Sequence, residues 1–174
     1  LFPLICVAQT YRYLGVEDGL SNRRVYCIQK DKTGYMWFLT HEGIDRYNGK
    51  DFKRYKLMDG DAEVNSLLNL NWLYIDQEGV LWEIGKKGKV FRYDQIHDCF
   101  NLVYKLPMES FSEQPDPITY AWLDENKHIW LCNKDTIFLY NTETQLVTHI
   151  KNDISEEITD IEQIDESHFF IGTE

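Results

Sequence analysis

Four times along the chain an aliphatic residue is followed twelve positions later by Trp or Phe: Val25 by Trp37, Leu70 by Trp82, Ile118 by Trp130 and Ile158 by Phe170. The text around these aromatic anchors repeats as well, as DKTGYMWFLTHEGIDRY, DQEGVLWEIGKKGKVFRYD, DENKHIWLCNKDTIFLYN and DESHFFIGTE. The anchors stand 45, 48 and 40 residues apart. Self-similarity at that period marks a propeller or a solenoid, in which each unit buries its faces only against its neighbours.

Within a unit the pattern is that of short strands. Four lie between residues 25 and 57: Val25 to Lys30, Tyr35 to Thr40, Ile44 to Tyr47 and Phe52 to Leu57. Turn residues separate them at Asp31 to Gly34, His41 to Gly43 and Asn48 to Asp51. Gly tolerates positive φ there, while Asn and Asp cap a turn with their own side chains. Connections this short join antiparallel neighbours, so each unit is a four-stranded meander. The second strand is apolar on both faces, as in Tyr35-Met36-Trp37-Phe38-Leu39, which suits a sheet covered on both sides. No stretch of ten or more residues keeps a helical period, which removes α-solenoids of similar period.

The sequence therefore predicts an all-β chain of β-propeller blades, each with four antiparallel strands. The blades fall at about residues 20–57, 67–104, 118–150 and 158–174, an incomplete ring of about three and a half blades. Propellers close with roughly four to eight full blades, so the chain reads as part of a longer propeller. Residues 11–14 are expected to be an outer strand that completes the last blade and clasps the ring. The reason is that Arg12-Tyr13 matches Arg54-Tyr55, and both lead through an acidic, Gly-containing turn to the next inner strand. Trp37, Trp82, Trp130 and Phe170 recur at one position of the repeat and are read as packing residues, as are Tyr47, Tyr93 and Tyr140 ten or eleven residues beyond an anchor.

Residues 1–8, LFPLICVA, look like the tail of a secretory signal with a small-x-small cleavage site after Ala8. Residues 9–174 would then be the N-terminal part of the propeller domain. Export permits disulfides, but Cys27, Cys99 and Cys132 contain no close pair and are read as small buried hydrophobes. The chain carries 29 acidic and 18 basic residues, a formal net charge of −11. That balance argues against nucleic acid and anionic membrane surfaces as partners, because phosphate binding needs clustered Lys and Arg. No apolar run is long enough to span a bilayer.

The search for chemistry returns mostly negatives. His41, His97, His128, His149 and His168 are scattered, without a second His or Cys at metal-ligand spacing. There is no G-x-S-x-G elbow and no phosphate-binding Gly loop. Neighbouring acids such as Glu156 with Glu157, or Asp59 with Asp61, sit in polar turns. No catalytic residue, metal site or cofactor is assigned.

The pattern D-x-x-G-x-x-W-x-x-T-x-x-G-[IL]-x-R-Y-[DN]-G stands here as Asp31, Gly34, Trp37, Thr40, Gly43, Ile44, Arg46, Tyr47, Asn48 and Gly49. It resembles the two-component regulator propeller repeat. The preceding EDGLSNRRV, with Gly19, Leu20, Ser21 and Val25, resembles the start of the sensor region in hybrid two-component system histidine kinases of polysaccharide-degrading Gram-negative bacteria. Later units depart from the pattern: Gly85 and Asn133 stand where the first unit has Thr40, and Phe170 replaces the Trp.

The resemblance implies an extracytoplasmic sensor with two many-bladed propellers, an immunoglobulin-like domain, one membrane span, a histidine kinase, a receiver and a DNA-binding module. It further implies a homodimer that responds to oligosaccharides released during glycan breakdown. This segment would lie in the periplasm, as part of an inner-membrane-anchored protein, and would itself catalyse nothing. Sugars are commonly held by aromatic faces with polar neighbours. The inner strands of units two and three carry Trp72, Tyr74, Tyr120 and Trp122 where unit one has Cys27 and Gln29, so these four are the candidate ligand-binding residues. A glycan-active propeller enzyme with aspartate boxes is the alternative. Those boxes place Gly two and the aromatic five residues after Asp, against three and six here. A purely structural scaffold is a third reading.

Overall fold

The computed structural model describes residues 11–64, 70–106, 117–153, 156–165 and 167–174. Among these the chain is built of strands, with a single 3₁₀ turn at Val16–Asp18. Blade one consists of β1 (Val25–Lys30), β2 (Met36–Thr40), β3 (Gly43–Tyr47) and β4 (Phe52–Tyr55). A short hairpin follows, β5 (Leu57–Asp59) and β6 (Ala62–Val64). Blade two is β7 (Leu70–Ile75), β8 (Leu81–Gly85), β9 (Lys89–Asp94) and β10 (Cys99–Lys105). Blade three is β11 (Tyr120–Leu123), β12 (His128–Cys132), β13 (Thr136–Asn141) and β14 (Val147–Lys151). The hairpin of β15 (Ile158–Gln163) and β16 (Phe169–Thr173) starts a fourth. Within each blade consecutive strands are antiparallel neighbours, as the short Gly- and Asn-bearing turns require.

One carboxylate per complete blade sets the first hairpin. Asp31, Asp76 and Asp124 open the β1–β2, β7–β8 and β11–β12 turns, and their backbone N–H groups bond to the carbonyls of Tyr35, Val80 and His128. Oδ1 of each Asp accepts the N–H of that same residue, at 3.0, 2.8 and 2.7 Å. Oδ2 accepts the indole Nε1–H of the anchor, from Trp37 at 2.8 Å, Trp82 at 2.9 Å and Trp130 at 2.8 Å. A buried indole N–H needs such a partner, which explains why Asp precedes each Trp by six residues.

The blades stack face to face over three apolar clusters. The first joins Trp37, Leu39, Ile44 and Tyr55 of blade one to Leu73, Leu81, Phe91 and Phe100 of blade two. The second joins Trp82, Ile84 and Val90 to Ala121, Ile129, Leu131 and Tyr140. The third joins Trp130, Cys132 and Ile137 to Ile158 and Ile161. Trp37 and Trp82 each meet the repeated Tyr of the next blade, with ring centroids 5.0 Å apart for Trp37 and Tyr93 and 6.4 Å for Trp82 and Tyr140. Because a second strand is covered by blades on both sides, every residue of β8 is buried.

Three expectations are corrected. Phe170 does not pack among the described residues, where it is 70% exposed. Its place in the hairpin register is that of the Trp, but among the described residues no Tyr-bearing strand lies over it, and Ile164 stands where the other blades have Asp. Phe169 instead packs on Trp130, centroids 4.8 Å apart. The outer strand of blade one ends at Tyr55, not Leu57. Leu57 belongs to β5, which pairs in parallel with β10 and antiparallel with β6, so the sheet of blade two has six strands. Leu57 is buried against Phe100, and its strand covers an outer edge that would otherwise be open. Residues 11–14 form no strand, since among the described residues no outer-blade partner lies beside them. The residues read as a signal tail, 1–8, lie outside the described part. Cys27, Cys99 and Cys132 are free thiols, and burial pushes Cys132 up to about 12.

Candidate functional site

The candidate aromatic residues lie on the inner strands β7 and β11, all four half-buried. The structure does not gather them into one cleft. Trp72 and Tyr74 lean on the seam between blades two and three, and Tyr120 and Trp122 on the seam between blades three and four. Tyr74 Oη donates to the Ala121 carbonyl at 2.6 Å, and burial pushes its hydroxyl pKa up. Tyr120 Oη donates to Asp160 at 3.0 Å, and burial, aided by that carboxylate, raises it to about 12. Trp122 stands 6.0 Å from Trp130 and 6.1 Å from Phe169, centroid to centroid.

Their positions in the repeat explain these contacts. Tyr74 corresponds to Gln29, whose Nε2 donates to the Leu73 carbonyl at 3.1 Å. Leu73 in turn corresponds to Ala121. At this position, then, a long polar side chain of one inner strand reaches a backbone carbonyl of the next. Cys27 does the same more weakly, its Sγ lying 3.4 Å from the Leu73 oxygen.

Sequence reasoning missed a polar cluster in the first seam. Arg46 of β3 places its guanidinium carbon 4.5 Å from the Tyr35 ring centroid and 5.4 Å from that of Trp37. It also lies 3.8 Å from Asp98 Oδ1 and donates to Tyr93 Oη at 3.4 Å. Asp98 accepts from Tyr93 Oη at 2.6 Å and from Lys53 Nζ. Burial works against its charge, but the bonds from Lys53 and Tyr93 outweigh that and hold its carboxyl well below the usual range. The signal was available in Asp98, where the next unit has Gln145. Among the described residues no group of three or more His, Cys, Asp or Glu could hold a metal ion. Among them, too, no helix is long and apolar enough to cross a membrane.

Residues 19–42 match the family model of the two component regulator propeller. No curated protein matches the chain. Among solved structures, the chain is similar to one described as the extracellular domain of the hybrid two component system BT3049 from B. thetaiotaomicron. The identity is 25% and the TM-score 0.72, over 93% of this chain and 24% of that one. Two structures of the extracellular domain of BT4673 from the same organism also match. One, described as a one component system, is 20% identical with TM-score 0.65, over 88% of this chain and 22% of that one. The other, described as a hybrid two component system, is 19% identical with TM-score 0.68, over 93% and 21%. The chain thus spans about a quarter of the length of the structures it matches. With residues 19–42 similar to a two-component regulator propeller repeat, the chain has the propeller-like fold of such extracellular domains.

Proposed function

We propose that the chain is a ligand-sensing, non-catalytic segment of the periplasmic part of a hybrid two-component sensor kinase, anchored in the inner membrane and acting as a homodimer. The ligand class is an oligosaccharide, and the half-buried rings of Trp72, Tyr74, Tyr120 and Trp122 are its inner-strand candidates. The observation that carries the reading is the propeller repeat at residues 19–42, set in a chain that shares 25% identity over 93% of its length with an extracellular domain of this kind. The stacking of the blades adds physical support. A ligand held by two neighbouring blades changes how firmly they are joined, and a domain that passes on occupancy needs such a coupling between binding and conformation. Melting the purified domain with a panel of oligosaccharides, while assaying the same mixtures for cleavage, tests the reading. A raised melting temperature without turnover is the expected result. Turnover would make the segment an enzyme, and neither effect would leave it a scaffold.

A further inference from the structure

The seam between blades one and two opens beside the β1–β2 and β7–β8 turns into a cleft of about 500 Å³, within the roughly 300–1,000 Å³ of small-molecule sites. Tyr35, Trp37, Val80 and Leu81 give it an apolar wall. Thr33 and Gln95 stand on its rim, beside the cluster of Arg46 and Asp98. Blade one supplies the guanidinium and blade two the carboxylate, so the cleft is built from both. The next seam repeats the Arg as Arg92, 5.8 Å over the Trp82 ring. It replaces the carboxylate by Gln145, which shares the positive φ of Asp98. The cluster is therefore a departure from the repeat rather than part of the scaffold.

We propose that this cleft binds a neutral oligosaccharide, one sugar ring lying along the Tyr35 side and the hydroxyls bonding Gln95, Thr33 and the outer face of Asp98. The glycan class rests on the sensor reading above; the place and the neutrality do not. The charges decide against an anionic sugar. Arg46 and Lys53 are committed to Asp98, and the Lys32 ammonium donates to the Gln77 carbonyl across the seam. The carboxylates of the lining are engaged as well: Glu78 pairs with Lys127, Asp98 with Arg46 and Lys53, and Asp31 accepts the Trp37 indole N–H. A sulfate or uronate would find no uncommitted cation at the cleft to pair with. Aromatic wall and carboxylate acceptors suit hydroxyl-rich, uncharged rings.

The test is an array of neutral, uronate-containing and sulfated oligosaccharides probed with the 174-residue chain and its Tyr35→Ala, Gln95→Trp and Leu146→Ala variants, the last at an exposed turn position between β13 and β14. Gln95 is an exposed turn residue, so filling the cleft from that side spares the core, and melting curves check that each variant is folded. Neutral oligosaccharides should bind the parent and Leu146→Ala alike, with a loss of about tenfold or more in Tyr35→Ala and Gln95→Trp. Undiminished binding in both cleft variants would put the sugar elsewhere and overturn the cleft while sparing the sensor reading. Preference for charged glycans would overturn neutrality. Absence of any bound glycan would overturn both the cleft and the sensing role.

Discussion

The carboxylate of Asp124 accepts the N–H of His128 at 2.7 Å and the indole N–H of Trp130 at 2.8 Å, tying a turn and a core side chain to one residue. Removing it strands two donors, and a buried donor left unpaired costs about 1–3 kcal/mol. Asp124→Ala should therefore lower stability by roughly 2–4 kcal/mol in urea unfolding. Asp165→Ala, one position past the equivalent site and with its carboxylate bonded, among the described residues, to the exposed Ser167 and His168, should cost less than about 1 kcal/mol. Glu83 presents the opposite case. It is fully buried, neither carboxylate oxygen has a partner among the described residues, and it sits between Leu73 and Phe91 on adjoining strands. Unit one has Phe38 at this place and unit three Leu131. Burial alone raises its pKa well above the ordinary value, so the folded chain holds this proton after the unfolded chain has released it. Stability from this group is whole below the unfolded value of about 4.3 and is lost as pH rises from there through the raised folded value. Glu83→Met, close in volume, should flatten that slope and stabilise the chain at pH 8 by about 1 kcal/mol or more. Urea midpoints at pH 5 and pH 8 decide it; a parent protein equally stable at both would refute the assignment.

Strands declare themselves in the sequence when their burial follows a simple pattern, and most here do. The largely apolar β2 and β12 were legible from their runs of large hydrophobic residues, and the short Gly and Asn turns fixed the meander. The β5–β6 hairpin was not legible. Its strands have three residues each, too few to show alternation, and only the long-range pairing of Leu57 with Phe100 turns them into a sheet edge. The candidate aromatic residues were visible as departures from the repeat, but their directions depend on the seams between blades, which local sequence does not encode. The Arg46–Asp98 cluster was hidden for the same reason, since its members are 52 residues apart on different blades. Inner strands are tied by side chains reaching forward, and Tyr74 makes the firmest such bond, to the Ala121 carbonyl at 2.6 Å. Tyr74→Phe keeps the ring and removes that bond, so it should cost about 1 kcal/mol. The loss should vanish in a Gln29-like control, Tyr74→Gln, only if the shorter amide still reaches the carbonyl; equal melting of Tyr74→Phe and the parent would show that the seam does not use the bond.

At the scale of the molecule, stability resides in three seams between sheets, each blade buried only by its neighbours. Such an arrangement adds stability seam by seam, and it leaves the outermost described faces uncovered. On blade one, Tyr26 and Ile28 of β1 are 47% and 52% exposed on the side away from blade two; on the fourth hairpin, Phe170 is 70% exposed. These apolar faces are sheet surfaces of the same kind as the buried seams. Blade four also presents β16 as an edge strand, paired on one side only among the described residues. Exposed apolar sheet faces and open edges are templates for association. The isolated 174-residue chain should therefore self-associate at tens of micromolar, through contacts that mimic a seam. Placing a charge on each face, with Ile28→Lys and Phe170→Lys together, should return it to monomer without changing its melting temperature, because neither side chain is part of a described core. Sedimentation velocity on the parent and the double variant distinguishes the outcomes. A parent that sediments as a monomer across that range would show that the uncovered faces do not drive association.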